Sequence, residues 1–336
     1  MRRTDTPYGR SAVTASWIML CFDSLDQHSI ILEYIRTCSM RQYVTISTTA
    51  TLLLTMAGCA SSASQPDVPV APRPVTSEAP SAATQIAPIS DQAMLATLWV
   101  QRSAEFHALS LQAFNVAHDR LNMALARRVQ HDKPLAVVVD VDDTVLDTTS
   151  YGGWALRKGR TYDSQSWANW VDDAVSAASP GAVDFLNYAQ RSGVDVYYIT
   201  NRKAAGKQAT IANLAALGFP QANAEHVMPR TDSSDKTERR AVVTADHDIA
   251  ILMGDNLGDF DQAFQQDSTA ARHAEVDKQA KSFGRRFVML PNPTYGEWEG
   301  VIYKGNWEAS ETEKRAMRAA ALNAWQPDDG SVSAGK

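Results

Sequence analysis

The sequence predicts an α/β protein: a parallel sheet with helices on both faces and a small, mainly helical segment over one end. Three observations predict it. Leu135–Val139 is an unbroken apolar run, β-branched at Val137, Val138 and Val139, as a strand buried on both faces of a parallel sheet requires. Val194–Ile199 and Ile249–Gly254 repeat that texture, with stretches of helical period between them. All three runs end in polar or acidic residues, and in open α/β sheets ligands bind in the crevice beyond the carboxyl ends of the strands.

The first ninety residues stand apart from this core. Met40-Arg41, followed by the short, Thr-rich hydrophobic stretch 43–58, reads as a secretory signal over residues 40–58, too short for a membrane span. Met56-Ala57-Gly58-Cys59 resembles the bacterial lipobox, which implies lipid on Cys59 and a chain anchored in the cell envelope. Ala60 lacks the Asp that favours inner-membrane retention, so the outer membrane, facing the periplasm or the surface, is the expected site. Acyl chains contribute about 0.8 kcal/mol per buried methylene, so two or three of them anchor a chain permanently. Residues 1–39 have no place before such a signal and are expected to reflect a misassigned start; a peptide from Thr4–Arg36 found in cells would overturn that.

Of the three cysteines, Cys21 and Cys38 lie upstream, so a chain beginning at Cys59 has neither a disulfide framework nor a cysteine zinc site. Residues 59–89 are rich in Ser, Ala and Pro and read as a semi-extended tether. A net charge of −6 argues against a nucleic-acid polymer as partner, though not against a nucleotide held through a metal. Nothing in the sequence speaks to oligomeric state.

The folded domain is expected over residues 90–330. Ser90-Asp91 looks like a helix start, and Leu95, Leu98, Trp99, Phe106, Leu109, Ala113, Val116, Ala117 and Leu121 recur at three and four residues. That pattern gives one long helix, or two, to about Arg128. His107, His118 and His131 read as surface histidines. Residues 147–178 crowd Tyr151, Trp154, Tyr162, Trp167 and Trp170 directly after the first strand, where a cap over the site could be inserted. Trp154, Trp167 and Trp170 read as packing, whereas Tyr162 is a candidate for stacking on a base.

Ser179-Pro180 opens a helix with Pro at its first position, closing near Gly193, and the strand 194–199 completes a strand, helix, strand crossover. A helix from Lys203 to Leu217 stops at Gly218, and a short strand follows near His226–Met228. The last strand is expected at Arg286–Leu290, and a helix from about Ala309 to Trp325 is expected to cover the sheet.

Asp140, Asp142 and Asp143 close the first strand, and Asp140 and Asp142, two apart, project to the same side if the chain is extended. Two such carboxylates can divide labour, one attacking an electrophile while the other donates a proton and later takes one from water. A calcium loop also begins Asp-x-Asp, but it fails on spacing: its sixth position would be Val145 instead of Gly, and its twelfth Tyr151 instead of Glu.

Asp-Val-Asp-Asp-Thr (140–144), Ile-Thr-Asn-Arg (199–202), Lys236 and Gly-Asp-Asn-Leu-Gly-Asp (254–259) resemble the four ordered motifs of the haloacid dehalogenase (HAD) superfamily. More narrowly, Tyr151-Gly-Gly-Trp154, Trp167-Ala-Asn-Trp-Val171 and Pro291-Asn-Pro-Thr-Tyr-Gly-Glu-Trp298 resemble the class C acid phosphatases, lipid-anchored nucleotidases of bacterial surfaces. The resemblance spans about residues 90–326, and departs at Asp143, where Glu is common.

It implies a HAD-like Rossmannoid sheet and a magnesium-dependent acid phosphatase acting on phosphomonoesters, 5′-nucleoside monophosphates foremost, through an aspartyl-phosphate. Four carboxylates cannot gather around a phosphate dianion without a cation, since like charges 4 Å apart repel by about 4 kcal/mol at an effective dielectric of 20. Oxygen donors suit Mg2+. The metal is assigned to the side chains of Asp140 and Asp255 and, as the family implies, the main-chain oxygen of Asp142, with Asp259 bound through water or just behind.

Asp140 is the expected nucleophile and Asp142 the acid and base. Thr200 and Lys236 are expected to hold phosphoryl oxygens, with Thr144 and Asn201 orienting the group, and Tyr162 and Tyr295 to sandwich a base. A dehalogenase would not need Asp142, and a histidine acid phosphatase would need Arg-His-Gly, where Arg272-His273 continues with Ala274. The alternative from another class is a non-catalytic surface lipoprotein that binds a ligand or partner.

Overall fold

The computed structural model describes residues 92–129 and 132–325. The expected misassigned start, signal, Cys59 lipidation site and tether, the helix start at Ser90-Asp91, His131 and everything after residue 325 lie outside the described residues.

The N-terminal pattern resolves into two helices, α1 (Met94–Arg102) and α2 (Ala104–Arg127). Ser103 breaks them: its backbone is extended, and its hydroxyl accepts from Phe106 N at 3.0 Å, capping α2. β1 (Leu135–Val139) follows, buried at every residue. A two-stranded antiparallel ribbon, β2 (Leu146–Asp147) and β3 (Ala177–Ala178), then brackets the cap helices α3 (Thr149–Arg157) and α4 (Ser164–Asp172). Asp163 caps α4 by accepting from Gln165 N and Ser166 N.

α5 (Ala182–Arg191) corrects the expected start: the helix begins two residues after Pro180, because the chain enters it through Gly181 at φ 88°. Pro180 instead offers its carbonyl to Ser110 Oγ at 2.8 Å, and a Cβ at Gly181 would press on Phe114. β4 (Asp195–Lys203) runs four residues past the expected end, carrying Thr200 and Arg202 in extended chain. α6 (Lys207–Ala216), β5 (Val227–Arg230), α7 (Thr237–Asp246), β6 (Asp248–Gly254), α8 (Thr269–Lys278), β7 (Phe287–Met289) and the short α9 (Glu297–Gly300) complete the core.

The five-stranded sheet runs β5-β4-β1-β6-β7, parallel throughout. β1 is its centre, pairing Val138 with Tyr197 on one side and Leu252 on the other. Strand alternation assigns its side chains to two cores. Leu135, Val137 and Val139 meet Phe114, Leu121, Phe185, Leu186 and Leu214 from α2, α5 and α6. Ala136 and Val138 meet Val243, Phe260, Phe264 and Phe287 on the other face. Because the strands are parallel, all five carboxyl ends lie along one edge of the sheet.

The last helix, α10 (Glu311–Ala321), does not cover the sheet as expected, since it buries no residue. Its Arg318 instead ties to buried Glu299 and, at 2.8 Å, to Gln92, clasping the two ends of the described chain.

Candidate active site

Asp140 is the first residue beyond β1, its N–H bonded to Met253 O on β6 at 2.9 Å. Beyond it the chain is coiled, not extended: Val145 N and Leu146 N both bond Val141 O, and Asp143 adopts φ 54°. A turn, and not strand alternation, therefore decides where Asp142 points, which corrects the extended-chain expectation. An aspartate tolerates that left-handed position because its short side chain can bond locally. Asp143 does so, accepting Thr148 N at 3.1 Å and Thr148 Oγ1 at 2.6 Å and taking the Tyr295 hydroxyl as well. Burial, opposed by those bonds, pushes its carboxyl up to about 6.

Asp140, Asp255 and Asp259 converge, with ligand oxygens within 4.8 Å of one another, all buried. Asp255 is the first residue beyond β6, and Asp259 is turned back by the loop that follows, accepting Asn256 N at 2.9 Å. Gly254 makes that turn possible, since any Cβ there would run into the Asp259 carboxylate. Gly254→Ala is therefore expected to displace Asp259 and cost about 1–3 kcal/mol of overpacking strain. The check pairs a melting curve with a divalent-ion titration, both weakened together.

Lys236, at the start of α7 and 3% exposed, reaches into the cluster, bonding Asp140 and, at 2.7 Å, Asp259. Burial works against its charge, but the two carboxylates outweigh it and raise its pKa. Asp140 is nonetheless pushed up to about 7, by burial first, against the pull of Lys236 and with Asp259 and Asp142 adding to it. Among the described residues no cation pairs with Asp255: its oxygens receive the amides of Asn256 at 2.7 Å and Asn292 at 2.8 Å and the Thr144 hydroxyl at 3.3 Å. Burial and the neighbouring Asp259 and Asp140 raise its pKa well above the usual carboxylate range. Two of the three buried acids share one lysine, and the third has only neutral donors among the described residues. A divalent cation fits that deficit, and the all-oxygen donor set suits a hard one.

The remaining expected residues are placed as follows. Asp142 does not aim its side chain at the acidic cluster; Arg202 holds it in a fork, with Nη2 to Oδ1 at 2.7 Å. Thr200 is buried at the end of β4, its hydroxyl accepting Arg202 N at 3.0 Å. Asn201 faces outward and accepts Arg239 Nη2 at 2.9 Å, while Arg239 Nη1 bonds Thr200 O at 2.6 Å, splinting this strand end. Tyr162 is 63% exposed and edges onto Tyr151 and Trp167 of the cap. Tyr295 keeps its ring 38% exposed while its hydroxyl end sinks against Asp143.

Arg202, like Asn256 and Asn292 on Asp255, lies in a motif quoted above but had no role assigned from sequence. A signal was present: Thr200 and Arg202 lie two apart on one strand and so share a face.

These features have counterparts in known proteins. Residues 59–298 match the family model described as HAD superfamily, subfamily IIIB (acid phosphatase). The structure resembles the class C acid phosphatase from Bacillus anthracis at 38% identity and TM-score 0.68, over 70% of this chain and 99% of that one. It resembles the tungstate-bound structure of a Bacillus anthracis class C acid phosphatase equally, at 37% identity and TM-score 0.68, over 71% and 99% of the two chains. A parallel sheet with its acids at the central strand ends, matched in sequence and in shape, makes this chain a phosphomonoesterase of the HAD subfamily IIIB acid phosphatase family.

Proposed function

We propose that the protein hydrolyses phosphomonoesters, 5′-nucleoside monophosphates among them, through an aspartyl-phosphate on Asp140, with Mg2+ as cofactor. The observation that carries this reading is the Asp140 carboxylate itself: first beyond the central strand, beside Lys236 and within 4.8 Å of two further acids. An Asp140 oxygen attacks phosphorus, the bond from phosphorus to the ester oxygen breaks, and Asp142 gives its proton to the departing alkoxide. Asp142 then takes a proton from water, the water oxygen bonds phosphorus, the Asp140 bond breaks, and phosphate leaves. Held by the side chains of Asp140 and Asp255 and the main-chain oxygen of Asp142, with Asp259 bound through water or just behind, Mg2+ would offset the phosphoryl charge. Thr200 and Lys236 steady the phosphoryl oxygens as charge shifts among them. The Bacillus anthracis enzyme binds tungstate, a tetrahedral oxyanion like phosphate, which supports an oxyanion site in this chain as well.

A base is placed between the exposed Tyr162 of the cap and the partly exposed Tyr295 after the last strand. Replacing both with Ala is expected to weaken nucleotide binding by several kcal/mol, from about 1–3 kcal/mol per stacked base, and to spare turnover of a small aryl phosphate. Equal losses on both substrates would remove the sandwich.

The test of the whole reading is phosphate release from a panel of phosphomonoesters with and without divalent ions: release lost in chelator and restored by Mg2+ supports it. Cys59 remains our proposed lipid anchor, residues 59–89 its tether and residues 90–330 the catalytic domain. Mass spectrometry of the N-terminal peptide from envelope fractions reads the anchor directly.

A further inference from the structure

Arg202 is a buried cation that the steps above leave without a task. Its guanidinium is 1% exposed and forks onto Asp142, Nε to Oδ1 at 2.9 Å and Oδ2 at 3.2 Å, Nη2 to Oδ1 at 2.7 Å. Nη1 donates to Thr210 Oγ1 at 3.2 Å, and that hydroxyl donates to Gly206 O at 2.9 Å, so the group is braced from the core. From the cap, the ring of Trp170 on α4 lies 5.6 Å from the guanidinium carbon, and Trp170 Nε1 donates to Ser150 on α3 at 3.2 Å. One side chain therefore joins the core, the cap and Asp142.

A buried pair that served stability alone would be matched or bettered by apolar residues of the same volume. A lysine would supply equal charge but not the planar fork that fixes the plane of a carboxylate. The fork is also uneven. Oδ1 takes the two shorter bonds, and Oδ2 only the longest, so Oδ2 is the oxygen left to carry and pass a proton.

We propose that Arg202 is a positioning residue for phosphoryl transfer: its fork aims Asp142 Oδ2 at the ester oxygen, and Trp170 holds the fork in place from the cap. Seating of the cap and delivery of the proton then become one event. This rests on Asp142 as the proton donor, and the test separates the two ideas.

The measurement is kcat/KM of the full-length protein with Mg2+ over esters running from p-nitrophenyl phosphate, whose leaving group needs no proton, to simple alkyl phosphates, whose leaving group does. Arg202→Lys is expected to lose about 100-fold on alkyl phosphates, as a misaimed group does, while p-nitrophenyl phosphate stays within a few-fold. Trp170→Leu shifts the series in the same sense by less. A merely structural role would lower all esters together. In an Asp142→Asn background Arg202→Lys should cost nothing more, because both act through one group.

If Asp142→Asn itself leaves the dependence on leaving group unchanged, the donor assignment fails. If Asp142→Asn steepens it and Arg202→Lys does not, the positioning role alone is overturned. Should Arg202→Lys not fold, the half-exposed Trp170→Leu decides: a uniform loss or no loss overturns the proposal.

Discussion

Asp140→Asn is expected to abolish phosphate release, by roughly 10^4- to 10^6-fold as for other lost nucleophiles, while the protein melts no earlier at neutral pH. The amide matches the carboxylate in size but cannot attack phosphorus, and Lys236 keeps Asp259 as a partner. Stability should move the other way from activity, because the wild-type group is held in the folded chain at about 7, above its ordinary 3.8. Between those values the folded state keeps a proton that the unfolded state has released. The contribution of Asp140 is therefore complete at acid pH and lost as pH rises through 7, at up to about 1.4 kcal/mol per pH unit. Melting curves in chelator at pH 5 and pH 7 should show this decline in the wild type, and a smaller one in Asp140→Asn. Release surviving at a readily measured rate would remove Asp140 as nucleophile.

Lys236→Met is expected to give the largest stability loss of any single change at the site. It leaves Asp140 and Asp259 buried without the cation they share, and breaking a buried pair from one side costs about 3–5 kcal/mol. In a chain of this size that is roughly 10 °C in melting temperature. Because the carboxylates raise the lysine pKa, the lysine stays charged throughout, and the pH dependence of the loss follows the acids. The deficit should be small at pH 5, where Asp140 holds its proton, and large at pH 8. Mg2+ should recover part of the stability at pH 8. A deficit that is equal at both pH values, or blind to Mg2+, would mean that Lys236 is not balancing the acids.

The parts of this fold that were legible in the sequence are those governed by local rules. An apolar β-branched run such as Leu135–Val139 has few alternatives to a buried parallel strand, and acids at its end mark the crevice. The missed features depend on contacts distant in sequence or on single backbone angles. Asp142 stood out as a candidate proton donor, but its direction is set by Arg202, sixty residues along, and by a turn marked by Asp143 at φ 54° and by the bonds to Val141 O. Pro180 gave a true signal for a helix start, displaced because Gly181 takes the left-handed position. The break at Ser103 was open to a capping argument, since Ser is a favoured N-cap. α10 has an amphipathic pattern, yet that pattern does not say which surface it clasps, and the answer was Glu299 and Gln92 in place of the sheet.

The position of β1 between β4 and β6 has a consequence for synthesis on the ribosome. β1 emerges first, but it pairs with Val196 of β4 on one side and Leu252 of β6 on the other, so one flank stays bare until β6 has been made. Asp255 and Asp259 leave the ribosome later still, and a chain stopped short of them can fold helices yet hold no complete acid cluster. If the acid cluster acts as proposed, hydrolytic power is withheld from every nascent chain until the C-terminal third is in place.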